Sequence, residues 1–148
     1  MKTVIFNLDG AILRSSEEVT TLHKGVTELL PIFHRLGVKN IAFAPVDEQG
    51  IEHLERLGAH HHFHYIASDA ALKTTPRHEG LQQLIVALQL SGDILLVGDR
   101  VTDIILGKNA GITTVVGVSH GRSTPEALRA AGADHVVHDL PALLDILG

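Results

Sequence analysis

Thr3-Val4-Ile5-Phe6-Asn7-Leu8-Asp9-Gly10 is the run whose reading decides the fold. From Thr3 to Leu8 it is β-branched and apolar on both faces of an extended chain, the pattern of a strand covered by helices on each side. It stops at Asp9-Gly10, a turn pair. Further short apolar runs follow at Asn40-Ile41-Ala42-Phe43-Ala44, Ile94-Leu95-Leu96-Val97, Thr113-Thr114-Val115-Val116-Gly117-Val118 and His135-Val136-Val137, with a weaker one from Phe63 to Ala67. Gly, Asp or Pro punctuates these runs, as strand ends require.

Segments of helical period lie between the strands, at 26–36, 48–57, 79–90, 103–110, 125–131 and 140–147. Gly37, Gly58, Gly111 and Gly132 each follow such a segment, where a left-handed residue closes a helix. Asp139-Leu140-Pro141 supplies an N-cap with proline in the first turn. Pro31 falls inside the first helix, where it should delete one backbone bond and kink the helix. Strand alternating with helix over short connections predicts an α/β fold, a Rossmann-like three-layer sandwich with a parallel sheet and helices on both faces. No repeat, low-complexity tract or linker interrupts it, so a single domain over residues 1–148 is expected. Ligand sites in such folds lie at the C-terminal ends of the strands.

Composition narrows the chemistry. The 148 residues carry 12 Lys and Arg against 17 Asp and Glu, a formal charge of −5, which disfavours nucleic acid as a partner. There is no cysteine, so disulfides and thiolate chemistry are excluded and any metal must use oxygen or imidazole ligands. The first apolar run, broken by Asn7 and Asp9, is too short and polar for a signal peptide or membrane span, and the expected location is cytoplasmic with no membrane partner.

Two acidic turns leave strands at the same edge of such a sheet. The first is Asn7-Leu8-Asp9-Gly10 and the second Gly98-Asp99-Arg100-Val101-Thr102-Asp103. A helix starting near Val101 would have Asp99 and Asp103 flanking its N-terminus, where carboxylates are favoured and can share one hard cation. Asp9 would face that cation from the first strand, and Lys73 is available to neutralise a phosphate. Either turn alone is an ordinary Asp-Gly turn or an N-cap. Their conjunction, each after an apolar strand and with a lysine between, is what points to a site.

With these residues the chain resembles the haloacid dehalogenase superfamily, and in particular the core domain of its phosphoglycolate phosphatase-like branch. The family opens with Asp-x-Asp-Gly after a hydrophobic strand, matched by Asn7-Leu8-Asp9-Gly10. Its second motif ends the next strand with Ser or Thr, where this chain has Ala44. A lysine follows, matched by Lys73-Thr74-Thr75-Pro76, and the last motif is matched by Gly98, Asp99 and Asp103. Ala110-Gly111-Ile112 and the tail from Gly121-Arg122-Ser123 to Ala133-Asp134-His135-Val136 also fit that branch.

The resemblance implies a Mg²⁺-dependent phosphomonoester hydrolase. It implies Asp9 as acid/base, Lys73 as phosphate clamp, Asp99 as a direct Mg²⁺ ligand and Asp103 as an inner- or outer-sphere partner. Asn7 falls on the nucleophile and metal-ligand position, Asp9 adds its backbone carbonyl to the metal, and Gly10 and Ala44 fall in the phosphate-binding turns. Asparagine keeps an oxygen for a cation but is neutral and forms no stable acyl phosphate. Loss of a covalent nucleophile commonly costs on the order of 10⁴ or more in rate. Ala44 removes a hydroxyl donor, a further loss of about 1–3 kcal/mol. The chain is therefore expected to be an impaired phosphatase or, alternatively, an inactive module that binds phosphate and Mg²⁺ or regulates.

Related phosphatases carry a helical cap between the first motif and the helix that begins near Val26. Only Ala11 to Lys24 intervene here, so the fold is expected to be essentially capless with an open pocket. That pocket would admit a small phosphorylated molecule or a phosphorylated macromolecule, or be covered by another copy in a homo-oligomer. A receiver domain also places acids and a lysine at strand ends, but it needs an acceptor Asp where Ala44 stands. Finally, His60, His61, His62 and His64 form a histidine run, with His62 and His64 expected on one face of a strand at a spacing able to chelate a metal, though no third ligand is evident and a half-exposed strand end explains the run equally well.

Overall fold

The computed structural model describes residues 2–15, 20–44, 49–68, 77–120 and 122–147. Its centre is a six-stranded sheet built from β1 (Thr3–Asn7), β4 (Lys39–Ala44), β5 (Tyr65–Ser68), β6 (Ile94–Gly98), β7 (Thr114–Val118) and β8 (His135–Val137). The strands lie in the order β5-β4-β1-β6-β7-β8. Every pairing is parallel, with Ile5 opposite Ile41 on one side and Leu96 on the other. The α/β sandwich read from the strand pattern is thus the observed fold.

Helices α1 (Val26–Arg35), α2 (Gln49–Arg56), α3 (Arg77–Ala87), α4 (Val101–Asn109), α5 (Pro125–Ala130) and α6 (Leu143–Leu147) supply the crossovers and the tail. Side chains alternate across the sheet, so two cores form. Val4, Phe6, Leu95 and Val97 join Leu29, Leu30 and Phe33 of α1, Leu54 of α2 and Leu143 of α6 on one face. Ile5, Ile94 and Leu96 join Leu81 and Leu84 of α3, Ile104 and Leu106 of α4 and Leu128 of α5 on the other. The buried set of α1, Val26, Leu29, Leu30 and Phe33, is the stripe that a 3.6-residue period turns to one side. Pro31 lies on the partly exposed side and the helix runs through it.

Two small features were not anticipated. After β1 the chain makes one wide turn over Leu8–Ile12, closed by a bond from the Leu13 N–H to the Leu8 carbonyl. It then forms an antiparallel pair, β2 (Leu13–Ser15) with β3 (Thr20–Leu22), Leu13 opposite Leu22. This hairpin stands between β1 and α1. The histidine reading needs correction. His60–His62 form a single 3-10 turn and β5 starts only at Tyr65, so His62 and His64 do not share a strand face. The reason is local: the Asn40 side chain donates to the His62 carbonyl at 3.3 Å and the His64 N–H to the Asn40 carbonyl at 2.8 Å, which ties the turn to the start of β4. Among the described residues no group of three or more His, Cys, Asp or Glu is placed to hold a metal.

Candidate active site

β1 and β6 are neighbours, and the chain runs from β1 outward to β4 and β5 before returning to β6 on the other side of β1. Open α/β sheets bind ligands in the crevice that such a reversal makes, outside the C-terminal ends of the two strands. Asn7 ends β1, and Asp99 follows β6 directly. Three polar side chains are buried there: Asn7 is 4% exposed, Asp99 0% and Asp103 2%. Burial of two carboxylates and an amide is costly unless each is held by donors or by a cation.

Among the described residues, backbone N–H groups donate to both carboxylates. Asp103 lies in the first turn of α4, and its Oδ2 accepts from the Asp99 and Arg100 N–H groups, both at 3.1 Å. A carboxylate at that place also meets the positive end of the helix dipole. Asp103 Oδ1 accepts from the Asn7 amide Nδ2 at 2.6 Å. Asp99 Oδ2 accepts from the Arg122 N–H at 3.0 Å. The Asp99 carbonyl accepts from the Ser123 N–H, and the Ser123 hydroxyl from the Val101 N–H at 3.3 Å. The loop after β7 is thereby laced onto the turn after β6.

Gly10 brings the first turn against the second. Its φ is +97°, and a Cβ there would overlap the Asp99 carboxylate. Glycine is required at this position on both counts. The turn is held from the far side by two histidines. His120, in the loop after β7, donates from Nε2 to the Ala11 carbonyl at 3.1 Å. His23, just ahead of α1, stacks on it with ring centroids 3.6 Å apart and planes 7° from parallel. Burial lowers the pKa of His23 to about 4, with the neighbouring His120 and Arg14 adding to it against the Gly10 backbone. Burial also lowers His120, opposed by the Ala11 carbonyl, Asp99 and Asp139. Both imidazoles are therefore neutral near neutral pH.

Asn7, Gly10, Asp99 and Asp103 thus lie together at the ends of β1 and β6. The Asp9 backbone runs through the same turn. Lys73 lies outside the described residues, as do the side chains of Asp9 and Ala44. His23 and His120 escaped sequence reasoning. No periodicity or motif spacing joins a histidine ahead of α1 to one after β7; only the fold does.

A family model described as HAD-hydrolase-like matches residues 52–143. A pyrophosphatase, PpaX, of Halalkalibacterium halodurans is 32% identical over 129 residues, which cover 85% of this chain and 60% of the relative. The chain belongs to the haloacid dehalogenase-like hydrolases. A phosphoglycolate phosphatase of Vibrio parahaemolyticus is 28% identical over 148 residues, covering 94% of this chain and 62% of the relative. This haloacid dehalogenase-like chain therefore spans about three fifths of the length of either curated relative. Among solved structures, a predicted phosphatase from Clostridium acetobutylicum superposes with a TM-score of 0.86 at 17% identity, covering 99% of this chain and 97% of that one. A heptose bisphosphate phosphatase from B. bronchiseptica, solved with magnesium and phosphate, reaches 0.75 at 15% identity over 99% and 98%. At these identities the structures establish the haloacid dehalogenase-like fold alone.

Proposed function

We propose that this crevice is a phosphate-monoester site of the hydrolase family, able to recognise a phosphoryl group with Mg²⁺ but slowed in turnover at Asn7. The observation that carries the reading is the place of Asn7: it ends β1, is buried in the crevice, and faces Asp103. The family pattern that Asn7-Leu8-Asp9-Gly10 resembles puts the attacking carboxylate at this place. An amide there cannot supply a stable covalent intermediate, so turnover falls on the order of 10⁴ or more.

The residues present fit a hard cation. Asn7 Oδ1 is buried and accepts no hydrogen bond among the described residues. The neighbouring Asp99 and Asp103 complete an oxygen-only donor set of the kind Mg²⁺ prefers. Asn7 Oδ1, Asp99 and the Asp9 backbone would hold the ion, with Asp103 supporting them from its bonds to the α4 start. When bound, Mg²⁺ neutralises charge on the phosphoryl oxygens. The chain's own contribution is to place Gly10 and the Asp9 backbone against Asp99, with Lys73 as the phosphate clamp and Asp9 as the acid/base. By the same resemblance, Ala44 would leave one phosphate oxygen without a hydroxyl donor.

The substrate is a small phosphorylated molecule or a phosphorylated macromolecule, admitted because a hairpin rather than a helical cap follows the first turn. A module that binds without hydrolysing is the limit of the same reading, and the Asn7 contact to Asp103 favours it. Hydrolysis of p-nitrophenyl phosphate with Mg²⁺ by the parent and Asn7→Asp decides between them. The expected result is a rate at least about 10³-fold higher in Asn7→Asp. Equal silence in both would reject a hydrolytic site and leave the binding module.

A further inference from the structure

Asn7 and Asp103 are joined more tightly than their roles beside a cation require. The amide Nδ2 lies 2.6 Å from Asp103 Oδ1, and both side chains are almost fully buried. An ionised carboxylate only accepts, so the amide nitrogen, not its oxygen, must face Asp103. The opposite oxygen of Asp103 accepts from the Asp99 and Arg100 N–H groups. One carboxylate thus joins the end of β1, the turn after β6 and the start of α4. Gly98 lets Asp103 sit this close, since a Cβ at Gly98 would run into its side chain.

An aspartate at position 7 would reverse the sign of this contact. Two carboxylates would then face each other across the same gap in a buried setting, which is tolerable only with a cation or a shared proton between them. We infer that the Asn7 amide stands in for the cation: its N–H donated to Asp103 closes the crevice between β1 and α4, so that the site is assembled without metal. This deepens the reading of the same site, adding that Mg²⁺ is a ligand of a preformed pocket rather than a part of its structure. The inference concerns stability, so it stands or falls independently of any phosphatase activity.

Thermal melts at mildly alkaline pH, in chelator and in saturating Mg²⁺, test it on four proteins: the parent, Asn7→Asp, Asp103→Asn and the double variant Asn7→Asp/Asp103→Asn. In chelator, Asn7→Asp is expected to melt about 5 °C or more below the parent. Mg²⁺ should raise Asn7→Asp by more than it raises the parent. The double variant is the sharper arm. Its amide now sits on residue 103, where the nitrogen can donate to the carboxylate at position 7 while its oxygen keeps accepting from the Asp99 and Arg100 N–H groups. It should regain most of the parent's Tm in chelator.

Asp103→Asn alone sets two amides against each other with a hydrogen bond still available, and should fall between parent and Asn7→Asp. An Asn7→Asp protein that folds only with Mg²⁺, beside a double variant that folds without it, is the extreme form of the expected result. The inference is overturned if Asn7→Asp melts with the parent in chelator, if the double variant melts no higher than Asn7→Asp, or if neither variant folds without Mg²⁺.

Discussion

The difference between an aspartate and an asparagine at position 7 is one atom, yet it alters charge, nucleophilicity and hydrogen-bonding direction at once. Its position was legible because an apolar strand ending in Asn-x-Asp-Gly is a local pattern. The same holds for Asp99 and Asp103, four residues apart at a helix start. Contacts between distant segments were not legible, and the stacked pair His23 and His120 is the clearest case. That pair has a measurable consequence. An unfolded histidine takes up its proton near pH 6.5, whereas His23 in the fold resists until about 4, from burial first and then from His120 and Arg14 beside it. Between these values the unfolded state binds more protons, so stability rises with pH across the window. Above about 6.5 the effect is complete, and it is lost as pH falls toward 4. His120, lowered by its own burial, acts in the same sense. Tm should therefore drop on acidification through this window, and His23→Gln should make the drop shallower; an unchanged slope would show that His23 does not carry it.

At the scale of elements, strands and helices were read within a few residues because each is a run with its own period and end signals. Gly37 shows this: it closes α1 with φ +78°, as its place after the helical run implied. The wide turn at Leu8–Ile12 and the hairpin of β2 and β3 had no such signal. A single turn has no period to detect, and three-residue strands are shorter than the runs by which strands are recognised. Their importance lies in Gly10, whose left-handed backbone has the Asp99 carboxylate against it. Gly37 has the same backbone need but nothing within 4 Å of a Cβ. Gly37→Ala should therefore cost only the backbone strain, about 1–2 kcal/mol. Gly10→Ala adds overlap with a buried carboxylate and should cost roughly twice as much. Urea denaturation of the two variants compares them directly, and equal losses would mean that the turn yields where the geometry says it cannot.

For the whole molecule, alternation of strand and helix implied a parallel sheet with helices on both faces, and the sheet found has a core on each face, Val4 and Phe6 in one and Ile5 in the other. Alternation does not determine strand order. The placement of β1 between β4 and β6, which makes the crevice, is a tertiary outcome of where the crossovers pack. The same architecture governs what can reach the site. Between the end of β1 and the start of α1 the described chain offers a turn and a short hairpin, with no helix to close over the crevice. Selection by enclosure should then be weak, since a substrate's remote part meets solvent rather than a lid. In Asn7→Asp, kcat/KM for a phosphopeptide and for p-nitrophenyl phosphate should agree within about tenfold, equivalent to 1.4 kcal/mol of transition-state binding. The ratio should also hold as protein concentration is raised. A preference for the small substrate that grows with concentration, tracking a mass increase by light scattering, would mean instead that a second copy of the chain covers the opening.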